Sequence, residues 1–228
     1  MKKPLLWWLT FLSLLIVSLV GVYIFKNDNT KIQIKGKEYS LTGVTINLAS
    51  LWIIDNEIAK ISSQIDSSLS LETIYLWGNQ ITEKGLKYLS LLKSSAIKVI
   101  DLSNNKTGDA GMKEFLEKSS FRVVDISGNT LTDISVQDVI NNKILAYLTV
   151  NNNSITDNGF QKILENKNIE YLSIENNLIT DASIDYIVNN KSILTIKHLK
   201  LRWNKFSSEW IKKLDTLKVK KLFETLSY

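Results

Sequence analysis

A nine-residue frame that closes on asparagine recurs six times in this chain. It begins at Leu71, Ile97, Phe121, Leu145, Ile169 and Ile196 and ends on Asn79, Asn105, Asn129, Asn153, Asn177 and Asn204. Successive asparagines are 26, 24, 24, 24 and 27 residues apart. The stretch Ile169–Val188 shows the whole unit. Ile169, Leu172 and Ile174 sit at positions 1, 4 and 6, Asn177 at 9 and Ile179 at 11, and Ile184, Ile187 and Val188 follow at helical spacing. Strand-like alternation therefore passes through a sharp turn into a helix. A unit this short cannot bury its own apolar faces, so it must stack on its copies. Strands that recur through a helical connection pair in parallel. The triplets Met112/Phe115/Leu116, Val136/Val139/Ile140 and Phe160/Ile163/Leu164 repeat the helical spacing and belong to the core.

This frame resembles the leucine-rich repeat, L-x-x-L-x-L-x-x-N-x-L, over roughly Leu71 to Leu217. Endings such as Ile155-Thr156-Asp157-Asn158-Gly159 look like the ribonuclease-inhibitor-like class in a shorter form. The resemblance implies an α/β solenoid, a horseshoe with a parallel concave sheet and convex helices. It also implies that the six asparagines form a ladder between repeats, their amides bonding neighbouring backbone. The physical need is clear, because turning backbone under a helix leaves buried N–H and C=O groups without partners. Thr82, Thr132, Thr156, Thr180 and Ser207 come three residues after ladder asparagines, where a hydroxyl caps a helix. The acids Glu83, Asp109, Asp133, Asp157 and Asp181 suit the positive helix end.

The ends are atypical. Leu5–Phe25 is 21 residues without a charge, about 31 Å as a helix and enough to cross a bilayer core. Trp7, Trp8 and Tyr23 suit the interfacial belts. A cleaved signal peptide would have a shorter apolar core and an A-x-A-like site. Residues 1–26 therefore read as an uncleaved transmembrane signal anchor. A bare count of flanking lysines would leave the repeats in the cytoplasm, but a short basic start leading into an apolar run is the export layout. We expect a single-pass membrane protein with an extracytoplasmic repeat domain. Residues 27–40 read as a tether and a β-hairpin around Lys35-Gly36. Residues 41–70 read as a degenerate first repeat, with Leu41, Val44 and Ile46 at positions 1, 4 and 6, Ala49 in place of the asparagine, and a helix near Asp55 to Ile65. The repeat domain spans 41–228, with six repeats over 71–217 and a cap over 218–228.

Composition excludes several chemistries. There is no cysteine and one histidine among 228 residues, so disulfides, thiolate sites, cysteine nucleophiles and the usual zinc sites are out. Nothing points to a cofactor or a resident metal. From Lys191 onward ten Lys/Arg face three Asp/Glu, a local charge of +7 within a total of +5. Lysine outnumbers arginine 26 to 2, which associates with an AT-rich, bacterial source.

Function is expected on the strand face turned away from the core, positions 3, 5 and 7, which the resemblance makes the concave binding surface. The candidates are Tyr75, Trp77, Asp101, Asp125, Tyr147, Thr149, Tyr171, Ser173, Glu175, His198, Lys200 and Arg202. Exposed aromatics in rows, with Arg beside them, are the usual anchors of protein contacts; alternatively they stack and stiffen the sheet. The leading expectation is a non-enzymatic module that binds a protein partner, with no nucleic acid and no small-molecule substrate. Two other readings stand beside it. The lysine-rich end can meet an anionic polymer. Asp101 and Asp125, in one column of adjacent strands, have the spacing of a glycosidase pair.

Overall fold

The computed structural model describes residues 30–66, 68, 70–94, 96–190, 195–210 and 225–228. The expected membrane anchor, the start of the tether and most of the cap lie outside the described residues. Among the described residues no helix is long and apolar enough to cross a membrane.

Each repeat contributes a strand of only three residues. The strands are β3 (Thr45–Asn47), β4 (Thr73–Tyr75), β5 (Val99–Asp101), β6 (Val123–Asp125), β7 (Tyr147–Thr149), β8 (Tyr171–Ser173), β9 (His198–Lys200) and β10 (Thr225–Ser227). They form one parallel sheet in chain order. Helices α1 (Asp55–Ile65), α2 (Glu83–Ser90), α3 (Asp109–Lys118), α4 (Asp133–Val136), α5 (Asp157–Glu165) and α6 (Asp181–Asn189) return the chain. The chain forms the α/β solenoid of a leucine-rich-repeat fold. A hairpin, β1 (Lys31–Ile34) with β2 (Lys37–Ser40), precedes it, turning at left-handed Lys35 and Gly36. Ile32 and Ile34 of β1 join the core. Within the expected cap, Thr225–Ser227 form a strand, β10, that adds to the sheet beside β9.

One buried cluster runs the length of the coil. Positions 4 and 6 supply Ile74/Leu76, Ile100/Leu102, Val124/Ile126, Leu148/Val150, Leu172/Ile174 and Leu199/Leu201, all essentially inaccessible. The helix triplets meet them from the other side, with Phe115 and Phe121 stacked at 5.8 Å. Ile140, expected in the core, is only half-buried, because the helix ends at Val136 and Val139–Asn141 form a 3-10 turn that breaks the helical spacing.

Two hydrogen-bonded rows tie the repeats together, and a third repeats a backbone conformation. In the first, each ladder asparagine donates from Nδ2 to the position 6 carbonyl of the preceding repeat. Its Oδ1 accepts from the position 11 N–H of that repeat. Asn129 adds its own position 6 carbonyl and the Thr107 hydroxyl, at 3.1 and 3.0 Å. The polar group is thereby satisfied on both sides, as burial demands.

The second row lies at the helix starts. Thr82, Thr132, Thr156 and Thr180 cap their own helices. They also donate, by N–H and by hydroxyl, to the aspartate of the preceding helix: Asp55, Asp109, Asp133 and Asp157. The hydroxyl bonds are all 2.6 Å, the length of a charge-assisted contact. The acids therefore do more than face their own helix dipoles; each clamps the next repeat. The close approach explains the glycine of T-D-x-G: a Cβ at Gly159 would overlap the Asp133 carboxylate. Ser183 takes the equivalent place in the next repeat, and its hydroxyl bonds Asp157.

The third row is conformational. Ser50, Gly78, Asn104, Gly128, Asn152, Asn176 and Trp203, all at position 8, have left-handed backbone. Gly and Asn are the residues that adopt it at least expense.

The first repeat departs from the expected register by two residues. Thr45 pairs with Thr73 and Ile46 with Ile74, so Ile46 occupies position 4. Leu48 supplies the position 6 carbonyl to Asn79, and Leu51 and Ile53 stand at positions 9 and 11. Val44 is 57% exposed. A shift of two preserves the alternation of faces, and without an asparagine nothing local marked the frame.

Candidate functional site

Strand register lines up the open face of the sheet in columns. Position 3 runs Thr73, Val99, Val123, Tyr147, Tyr171, His198 and Thr225; position 5 runs Tyr75, Asp101, Asp125, Thr149, Ser173, Lys200 and Ser227. In position 3 the Tyr147 and Tyr171 rings stack at 5.9 Å with 22° between planes, and Tyr171 meets His198 at 6.3 Å. Two cations border the rings. The Arg122 guanidinium lies 5.9 Å from the Tyr147 centroid and Lys200 Nζ 5.5 Å from that of Tyr171. Such contacts stabilise the cation against the π face. The Lys200 ammonium is held above its ordinary range by its hydrogen bond with Tyr171. His198 Nδ1 is 3.2 Å from the Thr225 hydroxyl, which anchors the imidazole to the last strand. Tyr147 is 36% exposed, and Arg202, two residues beyond Lys200, is open to solvent.

Toward the other end, Asp101 and Asp125 are opposed across β5 and β6. Their carboxylates are engaged locally. Ser103 donates to Asp101 by N–H and hydroxyl at 2.9 and 2.6 Å, and Ser127 N–H donates to Asp125 at 2.9 Å. Burial pushes the Asp125 carboxyl up from its ordinary value, and the Asp101 charge adds to this more weakly. Tyr75 and Trp77 are exposed at the far end. Three strand spacings separate Tyr75's repeat from Tyr147's, about 14 Å. The candidates thus fall into an aromatic-cationic patch on β7–β9, an acidic pair on β5–β6 and an aromatic pair at the end of β4 and just beyond it. Ser173 is 2% exposed, its hydroxyl donating to Asn151 Oδ1 at 2.9 Å. Asn151 also accepts the Glu175 N–H at 2.7 Å. These groups shape the sheet at the patch, with Thr149 and Glu175 half-buried beside it.

Frame reading missed Arg122. It stands at position 2, outside the three outward positions, yet reaches the Tyr147 ring. It also lines a cleft of about 380 Å³ at the strand-entry rim, with Ala146, Glu170, Lys197 and the turn residues Lys143 and Lys167. The available signal was the position 2 column itself: Glu72, Lys98, Arg122, Ala146, Glu170, Lys197.

No protein-family model matches the sequence, and comparison with curated proteins gave no match. Solved structures do align. An internalin from Listeria monocytogenes aligns over 73% of this chain and 50% of its own, at 16% identity and TM-score 0.48. A plant peptide hormone receptor, solved in complex with its hormone, aligns over 77% and 31%, at 16% identity and TM-score 0.42. This chain therefore spans half of the internalin chain and about a third of the receptor chain.

Proposed function

We propose that this chain is a membrane-anchored leucine-rich-repeat module, of the short ribonuclease-inhibitor-like class, that grips a protein partner with its concave sheet face. The observation that carries this is the stack Tyr147–Tyr171–His198 flanked by Arg122 and Lys200 on the open face of the sheet, where Tyr147 is 36% exposed among the described residues. Large rings with one polar tip, beside cations, suit a surface that is apolar and hydrogen-bonding at once. Anchoring rests on the uncharged run Leu5–Phe25, and the export layout ahead of it supports an extracytoplasmic repeat domain. The lysines from 212 to 221 that would serve an anionic polymer lie outside the described residues, whereas the aromatic patch is built.

Tyr147→Glu with Tyr171→Glu tests the assignment. The stack contributes about 0.5–1.5 kcal/mol, so the melting curve is expected to shift only modestly. Capture of the partner that cross-links to the wild-type protein is expected to be lost. Lys84→Glu with Lys87→Glu, on exposed positions of α2, is expected to keep it. Retained capture in the tyrosine variant would reduce the rings to sheet stiffeners.

A further inference from the structure

The rim cleft exists because one position 2 residue is small. Along that column the side chains are long, except at Ala146, which is 2% exposed and forms part of the lining. Adjacent strands lie about 4.8 Å apart, so a missing side chain there leaves room between Arg122 and Glu170. Lys143 and Lys167, from the turns before β7 and β8, complete the wall. Four cationic side chains and one carboxylate therefore share the cleft. The cations are positioned. Lys143 Nζ donates to the Ile140 carbonyl at 2.9 Å, Lys197 pairs with Glu170 at 3.1 Å, and Arg122 rests over Tyr147. Arg122 thus belongs to the cleft and to the aromatic patch, making the two continuous.

We propose that this cleft seats an acidic stretch of the partner polypeptide, its carboxylates facing Arg122, Lys143 and Lys167 while its apolar side chains lie on Tyr147 and Tyr171. The inference rests on the protein-binding reading of the sheet face and names the partner's chemistry. Glu170 favours spaced carboxylates over a compact phosphate. Arg122 is two strands from Glu170, about 10 Å, so separate charges can turn to the cations and away from it. Charge complementarity of this kind sets orientation and association rate.

The probe is a fluorescent peptide of four glutamates followed by leucine and tyrosine, titrated into the full-length protein. Its glutamine analogue is expected to bind about tenfold more weakly, as is the acidic peptide to Lys143→Glu with Lys167→Glu. Lys84→Glu with Lys87→Glu, the same change in net charge on α2, is expected to leave binding unaltered. Equal affinity for the glutamine analogue, or equal loss in the α2 variant, would overturn the proposal. So would inorganic pyrophosphate binding more tightly than the acidic peptide. Capture of the natural partner separates the two readings. If the Tyr147/Tyr171 variant loses it and the Lys143/Lys167 variant keeps it, the cleft assignment alone fails. If the tyrosine variant keeps it, the concave-face reading fails as well.

Discussion

Two sets of columns run along this solenoid, and they behave oppositely. Position 9 is asparagine in all six frames, and Thr-Asp opens three successive helices, at Thr132-Asp133, Thr156-Asp157 and Thr180-Asp181. The open-face columns change chemistry every one or two strands: valine to tyrosine to histidine at position 3, tyrosine to aspartate to threonine to lysine at position 5. The uniform columns are those whose side chains bond the neighbouring repeat, so one geometric demand is met many times over. The varied columns meet no single demand: where they bond a neighbouring repeat, as Ser173 does Asn151 and His198 does Thr225, the pair occurs once and is not repeated along the coil. On the proposed binding function, the distinction is between a residue dictated by its neighbour repeat and one dictated by a partner.

The largest effect expected from breaking that distinction is at Asn129. Its side chain joins the Leu102 and Ile126 carbonyls to the Thr107 N–H and hydroxyl, and it is 1% exposed. Asn129→Ala leaves several buried groups unpaired, at about 1–3 kcal/mol each before relaxation, so a total loss of roughly 3 kcal/mol or more is expected. Asn152→Ala, one position before the next ladder residue, is expected to cost about 1 kcal/mol by a different route. Asn152 has φ 54, where alanine is strained. Chemical denaturation with both variants reads the difference. Equal losses would mean that the ladder bonds are no more than the backbone they sit on.

What could be read from sequence follows the same division. Strand, turn and helix were legible from position 1 to Val188 because each side of the frame is enforced by stacking, and six copies average out local exceptions such as buried Thr107 at position 11. The first repeat was misread by two residues because alternation has period two and Leu51 stands where an asparagine would mark the frame. The left-handed backbone of position 8 was present as a Gly/Asn column but carried no apolar signal. The forward reach of Asp133 to Thr156 was hidden because the partners are 23 residues apart and each has a sufficient local role. On the open face, column membership followed from parity, whereas the reach of Arg122 and the burial of Ser173 depend on which neighbours are large. Parity says which way a side chain leaves the strand and nothing of what it meets there.

A smaller effect separates the two members of one uniform column. Asp133 accepts the Thr156 N–H and hydroxyl at 2.8 and 2.6 Å. Glu83 starts its helix in the same way, but the next helix offers Gly108 in place of threonine. Both acids face a helix N-terminus, worth about 0.3–1 kcal/mol. Only Asp133 holds a rung to the next repeat. Asp133→Ala is therefore expected to cost about 2 kcal/mol and Glu83→Ala about 0.5 kcal/mol. Thermal melts of the pair decide it. Equal values would show that the inter-repeat clamp adds nothing to the dipole contribution.

The smallest effect should have the opposite sign. Trp203 breaks the position 8 column: it has φ 59 and is 73% exposed. A side chain with a Cβ in left-handed backbone is strained by about 1–2 kcal/mol, less for asparagine, whose amide bonds locally. A large exposed indole there returns little burial to the fold. On the proposed binding function, a uniform column broken toward a bulky aromatic beside Arg202 is read as shaped by the partner. Trp203→Asn is therefore expected to stabilise the protein by about 1 kcal/mol, raising Tm by roughly 2–4 °C for a chain of this size. The same variant is expected to weaken capture of the partner that the tyrosine patch holds. Differential scanning calorimetry and the cross-linking assay on one preparation test both halves. No gain in Tm would mean that Trp203 makes contacts that offset its backbone strain. A gain with unchanged capture would place Trp203 outside the binding surface and confine that surface to the strands themselves.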